Sequence, residues 1–329
     1  VESQGTTRLR YQLAFGLIAT LLLFLLATLP FSVASVVTDV LGPPEGHHFP
    51  IPPGPAPPEA SSFSRLNVAV VALDETQGLV TLRVSGHHVC RESCSWSDRL
   101  LFFSVPVGER GSESLPPSGS VTLPAGAGEV TQSTQLPIEG QPLRYPFDWY
   151  NLRLAVAMQR VQADGTVAAS TADQARGRVF LTVQEALARQ TMDPPVPVDP
   201  ATVRVPSAPY DYLYVSDLRF ARPIYLQVLA VVLVLLVTAA AAYAVFMRPL
   251  TELVVNSGAL VLGVWGIRQI LVPSNYNYVT AVDLSLSVVI LFLLGAITVR
   301  ALFFVHARSG LALHERWAAR RKREVGARR

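Results

Sequence analysis

The chain is poor in charge, in cysteine and in catalytic motifs. Charged residues make up 16% of its 329 positions against 50% hydrophobic ones, a balance shifted from the soluble average towards membrane proteins. The formal net charge is +3, so the chain as a whole lacks the basic excess that nucleic-acid binding draws on, and no nucleic-acid partner is expected. It contains no GxSxG elbow, P-loop, dinucleotide fingerprint, HExxH or His/Cys arrangement at catalytic spacing, which excludes the common enzyme classes those motifs serve. The expectation is a non-enzymatic protein without a cofactor.

Long apolar runs are what the chain does have. Pro223 to Met247 carries no charge, and its roughly 25 residues at about 1.5 Å each suffice to cross a hydrocarbon core of about 30 Å. Leu253 to Ile267 continues to Pro273 with one charge, Arg268, and Tyr278 to Val299 carries one charge, Asp283. A fourth run, Tyr11 to Phe31 and weakly on to Val37, follows Arg8 and Arg10. It exceeds the apolar core of about 7 to 15 residues of a secretory signal and reads as a signal anchor. Four transmembrane helices are therefore expected, in contact with the lipid bilayer.

Basic residues beside the spans set the orientation. The tail holds Arg300, Arg308, Arg316, Arg320, Arg321, Lys322, Arg323, Arg328 and Arg329, which places it in the cytoplasm. Counting back puts both termini inside the plasma (inner) membrane and residues 38–221 outside. Arg219 and Arg222 are the exceptions, flanking a span on the outer side. The division expected is 1–37 tail and anchor, 38–62 proline-rich linker, 63–221 outer domain, 222–307 three-helix membrane domain and 308–329 basic cytoplasmic tail. In that tail Leu313 and Trp317 are four apart, a spacing that suits a segment lying in the membrane interface.

The linker contains Pro43, Pro44, Pro50, Pro52, Pro53, Pro55, Pro57 and Pro58. Proline fixes φ and removes the amide donor, so the stretch reads either as a polyproline II strut, of up to roughly 50 Å at about 3.1 Å per residue, or as a segment wrapped on the outer domain. From Phe63 the pattern has period 2. Leu66 to Leu73, the turn Asp74-Glu75-Thr76-Gln77-Gly78, and Leu79 to Val84 form a β-hairpin by strand length and turn chemistry. Further strands are expected at 100–107, 120–123, 129–136, 150–159 and 178–183, with one helical turn at 185–189, an irregular proline-rich stretch at 191–207 and a last strand at 210–214. The fold class is an all-α membrane bundle plus an all-β antiparallel sandwich outside.

Two local patterns carry chemistry. Cys90 and Cys94 lie beside His87 and His88. A disulfide across a tight turn suits an oxidising compartment, while His87, His88, Cys90 and Cys94 as ligands, with His47-His48 as a remote complement, would suit zinc or copper. Adjacent strand residues point to opposite faces, which places the two histidines poorly for one ion. The second pattern is Tyr145-Pro146-Phe147-Asp148-Trp149-Tyr150, just before a strand. It reads as a structural aromatic corner or as a coupling loop, with Asp148 available to cap or to pair with an arginine. Arg268 and Asp283, on either side of a polar hairpin, should lie at similar depth and pair, across the hairpin or between subunits, because an unpaired charge within a membrane is costly. The rim they form is expected to meet the outer domain at Asp148.

The layout of an anchor, a β-rich outer domain with a YPFDxY motif, and three spans with an arginine before a Pro-containing hairpin and an aspartate after it resembles an uncharacterised family of bacterial and fungal membrane proteins of unknown function. More remotely, Pro146-Phe147-Asp148 and the segment Pro273-Ser274-Asn275-Tyr276-Asn277-Tyr278-Val279-Thr280-Ala281-Val282-Asp283 resemble the PFD loop and the hairpin between pore-domain helices of pentameric ligand-gated ion channels. The resemblance implies a coupling role for Pro146, Phe147, Asp148, Arg268 and Asp283. The helix corresponding to the pore is mostly Leu, Val and Ile, and Gly258, Gly263 and Gly266 suggest close helix packing instead. The function expected is that of a structural, accessory or sensing subunit, partnered by other membrane-protein subunits or further copies of itself. A channel relative and a metal-handling protein are the alternatives.

Overall fold

The computed structural model describes residues 47–51, 62–90, 96–106, 116–175, 177–187, 189–203, 210–272, 276, 278–306, the backbone of 307–326 and scattered positions between 12 and 37. The chain divides into two compact units, one spanning Val33–Gln227 and the other formed by Val1–Ser32 with Val228–Arg329.

The first unit is a β-sandwich. Its strands are β1 (His48–Ile51), β2 (Ser62–Asp74), β3 (Leu79–Cys90), β4 (Ser97–Val105), β5 (Ser118–Thr122), β6 (Gly128–Pro137), β7 (Glu139–Gly140), β8 (Trp149–Val161), β9 (Val167–Ala169), β10 (Val179–Glu185), β11 (Thr191–Met192), β12 (Val196–Val198) and β13 (Tyr212–Ala221), with one short helix, α1 (Ala172–Ala175). One sheet has the order β1-β10-β2-β3-β6 and the other β11-β13-β8-β4-β5, with β12 added to β13 and with β7 and β9 added to β8. Alternating residues of the two inner faces make one core, in which Val80, Leu82 and Val84 of β3 and Leu152, Leu154 and Val156 of β8 are buried. Each such side chain contributes about 1.5–3 kcal/mol by leaving water. Period 2 puts one residue in two on this face, which is why the strands were readable in the sequence.

The structure corrects the expected topology at several points. The sandwich is mixed, because β10 pairs with β2 in parallel, Val179 opposite Ser64 through Glu185 opposite Val70. A parallel pair needs a long crossover, here the intervening strands, and no local pattern announces it. β1, inside the expected linker, pairs antiparallel with β10 from His48 opposite Gln184 to Ile51 opposite Leu181. That part of the linker is therefore an edge strand, a place where Pro50 is tolerated. The other prolines of 43–58 lie outside the described residues. The stretch 191–207 contains β11 and β12, both on β13, while 186–187 carry no helix. The last strand runs on to Ala221, well beyond the expected 210–214.

The second unit contains α2 (Ile224–Met247), whose first turn belongs to the sandwich unit, α3 (Leu250–Leu271) and α4 (Ala281–Gly326). Among the described residues three helices are long and apolar enough to cross a membrane, Ile224–Met247, Leu250–Leu271 and Ala281–His306. The expected first span, Tyr11 to Phe31, falls partly outside the described residues, and its described positions are helical. The basic stretch after His306 continues the backbone of α4 to Gly326. Val282, Leu286, Val289 and Leu293 are buried along one stripe of α4, at the three-and-four spacing of a helix face. Gly258, Gly263 and Gly266 do not mark close packing among the described residues: a Cβ built on each meets nothing within 4 Å there.

Candidate functional site

The turn between β2 and β3 is built by Asp74. Its Oδ1 accepts from the amides of Thr76 at 2.9 Å and Gln77 at 3.0 Å and from the Thr76 hydroxyl at 2.6 Å. These bonds, the Thr76 hydroxyl first, hold the Asp74 carboxyl below the usual range. Gly78 closes the turn at φ +66°, a conformation glycine adopts without penalty. With Asp74 occupied by the backbone, Glu75 is the acid left to turn inward, and it is buried.

The Tyr145–Tyr150 motif brings the second acid. A short 3-10 turn, Pro142–Arg144, leads into a cis Tyr145-Pro146 peptide. Phe147 is exposed and Asp148 is buried. Asp148 Oδ2 accepts from the Tyr150 hydroxyl at 2.9 Å. Gly140, on the neighbouring strand, lies so close to the Tyr150 ring that a Cβ there would approach Cδ1 to 2.1 Å, so a side chain at 140 would displace the ring that orients Asp148.

The cation is Arg222, one residue past β13 and one before Pro223 and α2. Its Nε lies 3.3 Å from both oxygens of Asp148 and its Nη2 3.2 Å from Oδ2. Nη2 also donates to Glu75 Oε1, which accepts in addition from the Gln190 amide. The guanidinium stacks over the Tyr145 ring, 4.9 Å from its centre, and the Arg222 carbonyl accepts from Gln227 Nε2 at 3.1 Å. Side-chain exposure is 2% for Arg222, 7% for Glu75 and 0% for Asp148. Burial raises the Tyr145 hydroxyl above its ordinary value, partly opposed by Arg222. Desolvating three charges is costly, and breaking one buried pair by removing a partner costs about 3–5 kcal/mol. The arrangement carries no exposed nucleophile. What it does is fix three segments, distant in sequence, where the chain leaves the sandwich for α2.

Sequence reasoning identified Asp148 as available to cap or to pair with an arginine, but did not single out Arg222 as its partner, nor Glu75 and Gln190. The available signal was Arg222 itself, a basic residue that the expected topology places on the outer side of a span. Its charge is met by Glu75 and Asp148, while Arg219 lies 3.8 Å from Asp193.

Arg268 and Asp283 do pair within the chain, Nε to Oδ1 at 2.6 Å. Asp283 also closes a capping box at the start of α4: its Oδ2 accepts from the Thr280 amide at 2.9 Å and hydroxyl at 3.0 Å, and its own amide faces the Thr280 hydroxyl at 3.3 Å. One carboxylate thus starts a helix and ties it to the end of α3.

The His/Cys pattern separates. His88 is buried, with Nδ1 2.8 Å from Ser64 Oγ. His87 is exposed on the other face, 3.8 Å from Glu129. Cys90 is disulfide-bonded, and a disulfide sulfur is not the thiolate a metal site needs. Cys94 lies outside the described residues, and His47 and His48 sit at the start of β1, opposite β10. Behind His88, across the core, Arg160 Nε lies 3.4 Å from Asp98 and its guanidinium 4.6 Å from the centre of the Trp96 ring.

No curated protein matches the chain. A family model described as a domain of unknown function (DUF4436) matches residues 112–177, a stretch that includes Asp148 and β8, and this similarity is consistent with kinship to an uncharacterised family.

Proposed function

We propose that the protein is a non-catalytic, multi-pass plasma-membrane subunit. Its outer β domain makes the specific contacts of a membrane assembly, with other subunits or further copies, and the Glu75–Asp148–Arg222 cluster ties the state of that domain to α2. The reading places residues 38–221 outside and both termini in the cytoplasm. The observation that carries it is the position of Arg222. The residue that completes a buried ion cluster is separated from the membrane-length helix α2 by Pro223 alone, so a change in the β2–β3 turn or the Pro146–Asp148 loop reaches that helix through a single intervening residue.

Hydrogen exchange on the full chain in nanodiscs tests the reading. Glu75→Gln with Asp148→Asn should speed exchange in the turn at 74–78 and also, by at least about tenfold, at the amides of residues 226–230. Faster exchange in the turn with residues 226–230 unchanged would reduce the cluster to a local clasp.

A ligand-gated channel relative is the second reading, favoured by the pairing of Asp148 in the Pro-Phe-Asp loop with an arginine preceding a span, and by the Arg268–Asp283 pair. A pentamer by native mass measurement together with conductance in planar bilayers would select it over an accessory role.

A further inference from the structure

The helical unit contains a groove of about 570 Å³ between the end of α2 and the middle of α4. Val245 and Phe246 of α2 line one side and Leu291 and Phe292 of α4 the other, with Gly295 between them. Leu291, Gly295 and the next positions at helical spacing share one face of α4, and a Cβ on Gly295 would meet nothing within 4 Å. A side chain at residue 295 would therefore project into open space within the groove.

One end is closed by Arg300. Its Nη1 donates to the carbonyls of Val245 at 2.5 Å and Arg248 at 2.9 Å, which caps the end of α2 and fixes the guanidinium at the level of the Arg248-Pro249 turn, where a span ends. A guanidinium has five N–H donors, and among the described residues those two carbonyls are its acceptors. The nearby acid, Glu252, is engaged by Arg248 at 3.0 Å, so no carboxylate among the described residues answers the charge of Arg300.

We propose that this groove holds an acyl chain of an anionic phospholipid whose phosphate sits against Arg300. An apolar trough open to hydrocarbon and ending in a guanidinium matches a lipid with a charged head, and arginine pairs with phosphate oxygens in a fork. Basic pockets between helices at a membrane face are sites of this kind. The chain's own apolar segment 11–37 contains no Asp or Glu, so as occupant it would leave Arg300 without a counter-ion.

The test uses the full chain in nanodiscs of equal phosphatidylglycerol and phosphatidylcholine, transferred to detergent, with retained lipid read by native mass spectrometry. The wild type should retain phosphatidylglycerol over phosphatidylcholine by about fivefold, the effect of one basic side chain near an anionic surface. Gly295→Leu should lose retained lipid of both kinds with its helix content unchanged, and Arg300→Gln should keep lipid but lose the preference. Equal retention of the two lipids by the wild type overturns the proposal, as does wild-type retention by Gly295→Leu. A cysteine at position 295 that cross-links to one placed at position 23, or to itself in a second copy, also overturns it. Should Arg300→Gln fail to fold, the wild-type ratio and Gly295→Leu still decide.

Discussion

The two ends of the sandwich solve the same problem differently. Each must close an apolar core with polar groups. At the α2 end, Glu75, Asp148 and Arg222 are almost fully buried and come from three separate segments. At the far end, Ser64 and His88 face each other across β2 and β3, while Asp98 and Arg160 pair across β4 and β8 in partial contact with water. The first closure depends on an ion cluster that holds distant segments together. The second is made of neighbours already paired in register and includes an imidazole whose burial resists protonation. A core can be capped cheaply by adjacent strands; a three-segment ion cluster where a membrane-length helix begins is a costlier device, and that asymmetry supports the coupling reading.

The largest test of this contrast is Arg222→Met. It leaves two buried carboxylates facing each other and should cost about 3–5 kcal/mol, read as a lowered urea midpoint for the full chain in detergent. Adding Glu75→Gln and Asp148→Asn should recover most of the loss. A cost below about 1 kcal/mol would erase the distinction between the ends. Next in size, His88→Phe strands the buried Ser64 hydroxyl and should cost about 1–3 kcal/mol, whereas Ser64→Ala with His88→Phe should be close to neutral.

The same imidazole gives the far end a pH dependence. Burial holds the His88 pKa below the ordinary value of 6.5, with Asp98 pulling the other way. As pH falls, the unfolded imidazole takes up its proton first and the folded one resists. Stability from His88 is therefore full above about 6.5 and is lost as pH falls through the folded value. Thermal midpoints measured between neutral and mildly acidic pH should show this arm in the wild type, and a flatter one in the near-neutral double variant. The smallest effect belongs to Arg153 and Asp217, bonded at 2.7 and 2.8 Å but with side chains 20% and 36% exposed. Arg153→Met should cost less than about 1 kcal/mol, which would show that burial, not the ion pair as such, sets the weight of the Arg222 cluster.

Much of the sandwich was legible because its signals are local. Period 2 marked the strands, Asp74 to Gly78 marked the turn, and two lone charges in apolar runs, Arg268 and Asp283, implied each other. What escaped was non-local or disguised. A parallel partner for β2 cannot be read from β2. Pro197 hid β12, because proline argues against a central strand but not an edge. Glu75 reads as a solvated turn residue until Asp74 is seen to occupy the turn's amides, and Arg222 reads as a topology marker until its two acids are found. Asp148 was legible as a residue in need of a partner, while the partner was not.

The parallel pairing of β10 with β2 also bears on the order in which the protein is made. Asn67 on β2 bonds Gln184 on β10, 117 positions later, and Glu75 waits for Arg222, 147 positions on. Contacts this distant form late and leave strand edges exposed until they do. The β2–β3 hairpin therefore leaves the ribosome long before its neighbour exists, and the last ion of the cluster emerges immediately ahead of α2. Completion of the sandwich and emergence of α2 are thus consecutive events in synthesis, and a variant that stalls before Arg222 would leave the ion cluster of the sandwich open as well.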